Sequence, residues 1–149
     1  SYLWWELVPG YSIQKITNLR GNVNDSISVL MDTDVDRSVH LNLCNINTSQ
    51  CVNIYKTASK AIGGSVEWVA ERIDVGGYYT QLAKFGTVEI TNPSSAYAGH
   101  VYTPGNSTAY DMRSCNGATL LASTGAYHTT PYQYFDETWK AYGSKEKAC

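Results

Sequence analysis

The sequence has few charged residues and lacks the features of nucleic-acid-binding or membrane proteins. Charged side chains make up 16% of its 149 residues, and the formal net charge is only −2. This weak acidic balance argues against a basic surface for nucleic acid or for an anionic membrane. No apolar run approaches the ~18 residues that a transmembrane helix requires. We therefore expect neither nucleic acid nor a membrane as a partner.

The motifs of common hydrolase and cofactor chemistries are also absent. The sequence has no H-E-x-x-H zinc helix, no G-x-S-x-G nucleophile elbow, no phosphate-binding glycine loop and no dinucleotide fingerprint. The acidic run Asp32-x-Asp34-x-Asp36 starts like a calcium loop, but Arg37 stands where the loop needs glycine, which favours a solvated turn. We expect no metal and no cofactor, which leaves carboxylate chemistry or plain binding.

Composition predicts an all-β fold. Hydrophobic residues make up 43% of the chain, enough for a core, while 12 Tyr and 4 Trp suit half-buried sheet faces. Short alternating segments recur between turn signals. We predict an antiparallel double-sheet β-sandwich, jelly-roll or concanavalin-like, over residues 1–125. Residues 126–149 are predicted to form a tail with a short helix, because Phe135, Trp139 and Tyr142 recur at helical spacing.

The four cysteines are an even number, which is typical of a disulfide framework. Cys44 and Cys51 flank a polar stretch at a spacing that would staple a hairpin loop, and Cys115 and Cys149 would then tether the C-terminal tail. Four cysteines allow three pairings, so the connectivity stays open. A metal site that groups His40 with Cys44 and Cys51 is less favoured, because neither a paired C-x-x-C nor a fourth ligand is evident.

Three N-x-S/T sequons mark Asn24, Asn47 and Asn106 as candidate glycosylation sites. Glycosylation and disulfides both belong to oxidising, extracellular compartments. The sequence therefore predicts a secreted protein.

Two strand-like segments each place an acidic residue beside an aromatic one. In the first, alternation puts Trp4 and Glu6 on one face, shortly before Pro9. In the second, residues 65–73, Glu67 and Glu71 share a face opposite Trp68. Alternation allows these acidic faces to look into one cleft.

With these motifs the chain resembles the glutamic peptidases of the eqolisin family, acid-acting endopeptidases with a double-sheet β-sandwich. The family pattern W-x-E-x-x-P is matched by Trp4, Glu6 and Pro9, and the diagnostic A-E-W/F-I-x-E strand by residues 66–71. The G-D/N-x-I hairpin start is approximated by residues 24–27, and F-G-x-V-x-F/I-T is matched by residues 85–91. The resemblance covers roughly residues 2–125.

The resemblance implies hydrolysis of a polypeptide substrate, with Glu71 as general base toward the attacking water. It also implies that Trp4, Glu6 and Glu67 line the substrate cleft. Glu67 is not favoured as base, because four residues of strand place it roughly 13 Å from Glu71.

Family members pair this glutamate with a glutamine on a strand upstream of W-x-E-x-x-P, and the sequence offers no equivalent position. Three explanations stay open. The glutamine lies on a separate light chain or propeptide, the sequence is a fragment, or the fold is not catalytic.

A second hypothesis is a non-enzymatic extracellular β-sandwich used for adhesion, filament assembly or carbohydrate binding. The abundance of Tyr and Trp and the low charge suit a face that meets a sugar or another subunit. Self-assembly would follow if a neighbouring chain completed the first strand.

Overall fold

The computed structural model describes residues 3–34, 36–58 and 65–149. Over these residues the regular structure consists of β-strands and one short 3-10 helix, and every strand pair is antiparallel. The predicted all-β class is therefore confirmed. No helix in the described ranges is long and apolar enough to cross a membrane. The strands fall into two compact units, Ser1–Gly64 and Ser65–Cys149, and each is described by itself.

The first unit contains a hairpin and a three-stranded meander. The hairpin pairs β1 (Trp4–Leu7) with β2 (Tyr11–Lys15), and the meander has the order β3 (Ile27–Thr33), β4 (Ser38–Asn45), β5 (Gln50–Thr57). The exposed and half-buried residues of β1 alternate, as a strand with one solvated face requires.

The core of the first unit lies under β4. Its buried residues are Ile16, Leu19 and Leu43, and half-buried Leu3 and Trp5 pack against them. The opposite face of β1 carries Trp4 and Glu6, which are exposed. The predicted two-faced pattern of this strand is confirmed.

The second unit contains one four-stranded sheet and two small ones. The large sheet has the order β10-β11-β12-β7, and the small sheets pair β13 with β6 and β8 with β9; a 3-10 helix spans Pro104–Asn106. The strands are β6 (Tyr78–Tyr79), β7 (Thr87–Thr91), β8 (Ser95–Tyr97), β9 (His100–Tyr102), β10 (Met112–Arg113), β11 (Leu120–Thr124), β12 (Tyr134–Trp139) and β13 (Glu146–Lys147). Leu82, Leu121 and Ala122 form the buried core.

The predicted C-terminal helix is wrong. Phe135 and Trp139 lie in β12, which is hydrogen-bonded between β11 and β7. A spacing of four residues fits one face of a strand as well as one face of a helix, so these aromatics could not distinguish the two. Glu137 decides the matter, because it lies between them in sequence and is also buried.

Candidate active site

The segment that carries Glu71 is a loosely paired arm of a hairpin. We predicted a strand over residues 65–73, and the structure shows no ladder there, so that prediction is wrong. Pairing begins with the bridge between Asp74 and Tyr79, followed by a hydrogen bond from the Thr80 N–H to the Ile73 carbonyl at 3.0 Å. Glu71 thus lies just outside regular pairing.

Glu71 borders a hollow of about 170 Å³ within the second unit. The hollow is lined by residues 70–73 and 80–83 and by Phe85. The Glu71 side chain is exposed, and it has no hydrogen-bond or ion-pair partner among the described residues. Its carboxylate is therefore free to meet a water molecule or a substrate.

Arg72, the next residue, is held firmly. Its side chain is only 4% exposed and forms an ion pair with Glu146. Its Nε donates to the Thr80 carbonyl at 2.9 Å, and its Nη2 to the Ser144 carbonyl at 2.7 Å. The guanidinium carbon also lies 5.3 Å from the centre of the Tyr79 ring. The free carboxylate of Glu71 is therefore followed directly in the chain by the fully engaged guanidinium of Arg72.

The other predicted cleft residues are exposed. Glu67 precedes Glu71 on the same segment but does not border the 170 Å³ hollow. Trp4 and Glu6 belong to the first unit, where Trp4 is 42% exposed. Their contact with substrate stays a prediction.

Gln81 is a residue that the sequence patterns do not single out. The structure brings it to the same hollow as Glu71, across the hairpin. Gln81 is exposed. Only the hairpin pairing, which the sequence did not reveal, brings residues 71 and 81 together.

A larger hollow, of about 460 Å³, lies on the first unit. Asp32 and Asp34 border it, together with His40 and Tyr55, whose rings stack with centroids 4.5 Å apart. The His40 Nε2 lies 2.8 Å from the Asn53 Oδ1. In the described part of the chain, no group of three histidine, cysteine or acidic residues is arranged to hold a metal ion.

Both predicted disulfides are confirmed. Cys44 and Cys51 are opposite each other in the β4–β5 register, with Cα atoms 4.1 Å apart, and Cys115 bonds to Cys149 at a Cα distance of 5.6 Å. The sulfur atoms of Cys44 and Cys51 are thus bonded to each other, which removes the alternative metal site with His40.

The three candidate glycosylation sites lie on the surface. Asn24 and Asn106 are exposed, and Asn24 adopts a positive φ of 69° in a turn. The Asn47 Oδ1 accepts a hydrogen bond from the Ser26 N–H at 2.7 Å, so this side chain also supports the loop. Glycosylation itself stays a prediction.

Comparison with known proteins gives one match to a family and one to a solved structure. The model of the Peptidase A4 family matches residues 1–132. The chain belongs to this family. No curated protein matches it. The structure is similar to the crystal structure of aspergilloglutamic peptidase from Aspergillus niger, with a TM-score of 0.77 and 21% identity over 92% of this chain and 78% of that chain.

Membership of the Peptidase A4 family, the eqolisin family, confirms the resemblance that the motifs indicated. The likeness to the solved structure shows the fold and confirms the predicted β-sandwich class. The family model covers the part of this chain that contains Trp4, Glu6, Glu67 and Glu71. Residues 133–149, which supply all of β12, all of β13 and Cys149, lie beyond the match.

Proposed function

We propose that the protein is a secreted, acid-acting glutamic endopeptidase in which Glu71 is the general base. The observation that carries the proposal is the free, exposed Glu71 carboxylate at the edge of a hollow, in a chain of a peptidase family. Glutamate carboxyl groups have an ordinary pKa of about 4.3, so they stay basic in media where histidine is protonated.

The reaction follows from the chemistry of a carboxylate base. Glu71 takes a proton from a water molecule as the water oxygen bonds to the scissile carbonyl carbon. The carbonyl oxygen becomes an oxyanion, which needs a hydrogen-bond donor. Collapse of the tetrahedral intermediate breaks the C–N bond, and the protonated Glu71 gives its proton to the leaving amine.

The oxyanion donor in the family pattern is a glutamine upstream of Trp4. We propose that an upstream segment, a light chain or a propeptide supplies it here. Loss of such a donor typically costs ~10²–10³ in rate. The residues of the present sequence alone should therefore be poor catalysts. Gln81 is the alternative oxyanion donor to test, because it borders the same hollow as Glu71.

The two disulfides support the secreted location. Such bonds persist in oxidising compartments and are rare in reducing ones. The three sequons fit the same route.

The test is hydrolysis of a denatured protein at acidic pH by the full-length protein. We expect Glu71→Gln to abolish cleavage while the fold is kept, because an amide cannot take the proton from water. Glu89→Gln is the matched control, since it makes the same change at an exposed position of the same unit that borders neither hollow. It should retain cleavage to within about threefold, the small effect expected of an exposed surface position.

Full activity of Glu71→Gln would refute the assignment. Gln81→Ala separates the two sources of the oxyanion donor. Activity that survives this change supports an upstream glutamine, and loss of activity with an intact fold would point to Gln81 instead.

A further inference from the structure

The hairpin that carries Glu71 is held in place by the C-terminal residues of the chain. The Leu82 N–H donates to the Tyr142 carbonyl at 2.8 Å, and the Ala148 N–H donates to the Gly77 carbonyl at 2.9 Å. Between these two bonds, β13 pairs with β6. The last eight residues therefore run along the hairpin and fix both of its ends.

The Arg72 side chain also links these segments. Its guanidinium bridges three places: the Thr80 carbonyl across the hairpin, the Ser144 carbonyl, and the Glu146 carboxylate. A rigid guanidinium that donates from three nitrogen atoms fixes the backbone that carries it more tightly than an ammonium would. Because Arg72 directly follows Glu71, these contacts, called the Arg72 anchor below, restrain the backbone next to Glu71.

Glu146 connects Arg72 to the disulfide between Cys115 and Cys149. Its second oxygen accepts the Cys115 N–H at 3.2 Å, and Cys115 is joined to Cys149, three residues after Glu146. The carboxylate therefore has a partner at each oxygen and is only 18% exposed. The disulfide keeps Glu146 beside Arg72.

We infer that Arg72 and Glu146 are positioning residues that hold Glu71 in its working orientation. The inference rests on the proposed function, because it requires Glu71 to be the general base. Glu146 lies beyond the family match, so the anchor joins a family segment to a part of the chain outside the match. Because the neighbouring Arg72 contacts restrain its backbone, Glu71 needs no hydrogen-bond partner to keep its orientation. This agrees with the lack of a partner for Glu71 among the described residues.

The experiment compares Arg72→Met, Glu146→Ala and Glu146→Gln in the full-length protein. Turnover is expressed per folded molecule, with the folded fraction taken from near-ultraviolet circular dichroism. We expect Arg72→Met and Glu146→Ala to lower kcat by roughly 10- to 100-fold, the effect of misplacing a reacting group by about 1 Å, with KM nearly unchanged. Glu146→Gln should recover much of the loss, because its amide oxygen still accepts a hydrogen bond.

Phe135→Leu is the control for destabilisation alone. Phe135 is buried in the same unit, on β12, and takes no part in the Arg72 anchor. This variant should melt earlier and keep its kcat per folded molecule. If the contacts of Arg72 only stabilise the fold, Arg72→Met should also melt earlier and keep its kcat per folded molecule.

Three results decide the matter. If Arg72→Met and Glu146→Ala keep kcat within about twofold while Glu71→Gln is inactive, the positioning role is overturned and the proposed function stands. If Arg72→Met does not fold, the Glu146→Ala and Glu146→Gln pair gives the answer alone: a loss that Gln does not repair overturns the role. If Glu71→Gln is active, the proposed function itself fails, and with it the positioning role.

Discussion

The Glu137 carboxylate accepts a hydrogen bond from the Thr124 hydroxyl at 2.9 Å, across the β11–β12 pair. Glu137 is only 8% exposed. Burial raises its pKa above the ordinary value, the Thr124 hydrogen bond opposes that rise, and the nearby Asp111 charge adds to it. In this sheet the charged form of the Glu137 carboxyl group is therefore less favoured than in an ordinary exposed glutamate.

Glu137→Gln should reduce the loss of stability between acidic and neutral pH. Because the folded pKa of Glu137 is raised, its contribution to stability is complete below the unfolded pKa and is lost as pH rises through the folded pKa. The variant keeps an oxygen for Thr124 and removes the titration. We expect its melting temperature to exceed that of the unchanged protein at pH 7 and the gain to shrink toward pH 4. An equal effect at both pH values would contradict this account.

Asp25 should have the opposite effect on the pH dependence of stability to that of Glu137. Its pKa is lowered, first by the Asn22 N–H and then by the Asn45 side chain, which donate to its Oδ2 at 2.8 and 2.7 Å. A lowered folded pKa gives stability that is present above the unfolded pKa and is lost as pH falls through the folded pKa. Asp25→Asn should therefore lower the melting temperature at pH 7, and the deficit should disappear in acid. Melting curves from pH 2 to pH 7 measure both slopes, and a deficit that persists at pH 2 would argue against an ionic cause.

Local patterns predicted what depends on neighbours in the sequence. The solvated face of Trp4 and Glu6 on β1 follows from alternation. The bond between Cys44 and Cys51 follows from their spacing across one hairpin. In each case the residues concerned lie within one strand or one hairpin, so the local sequence pattern is enough to predict their arrangement.

Contacts between distant segments left no such signal. Arg72 and Glu146 are 74 residues apart, and nothing in either local pattern pairs them. Glu137 resembles a surface residue in sequence, and only its place in a central strand buries it. Gln81 shares a hollow with Glu71 because the chain turns back at the Asp74–Tyr79 bridge, a pairing that the pattern of neither arm predicts.

The two disulfides should differ in their effect on stability. Cys115 and Cys149 are 34 residues apart in sequence, whereas Cys44 and Cys51 are seven apart. In the chain-entropy account, closing the longer loop stabilises the fold by about 4 kcal/mol and the shorter by about 2 kcal/mol. Denaturant unfolding of the two paired Cys→Ser variants gives the comparison. A larger loss from the Cys44 and Cys51 pair would contradict the loop-length argument.

Gly143 is required by both its backbone conformation and its neighbour. Its φ is +68°, and a Cβ atom there would lie 2.9 Å from the Cδ2 of Leu121, which is fully buried. Gly117 is the matched control: its φ is +73°, and a Cβ atom there would meet nothing within 4 Å. Gly117→Ala should cost only the left-handed strain, about 1–2 kcal/mol.

Gly143→Ala should cost that strain plus about 1–3 kcal/mol for crowding Leu121. The crowding part can be isolated with Leu121→Ala, which empties the space that the new methyl group would occupy. The double variant should therefore lose less stability than the sum of the two single variants. Chemical denaturation of the unchanged protein, the Gly143→Ala and Leu121→Ala variants and the double variant measures this coupling. If the two glycine variants prove equally stable, or the losses simply add, Leu121 does not restrict position 143.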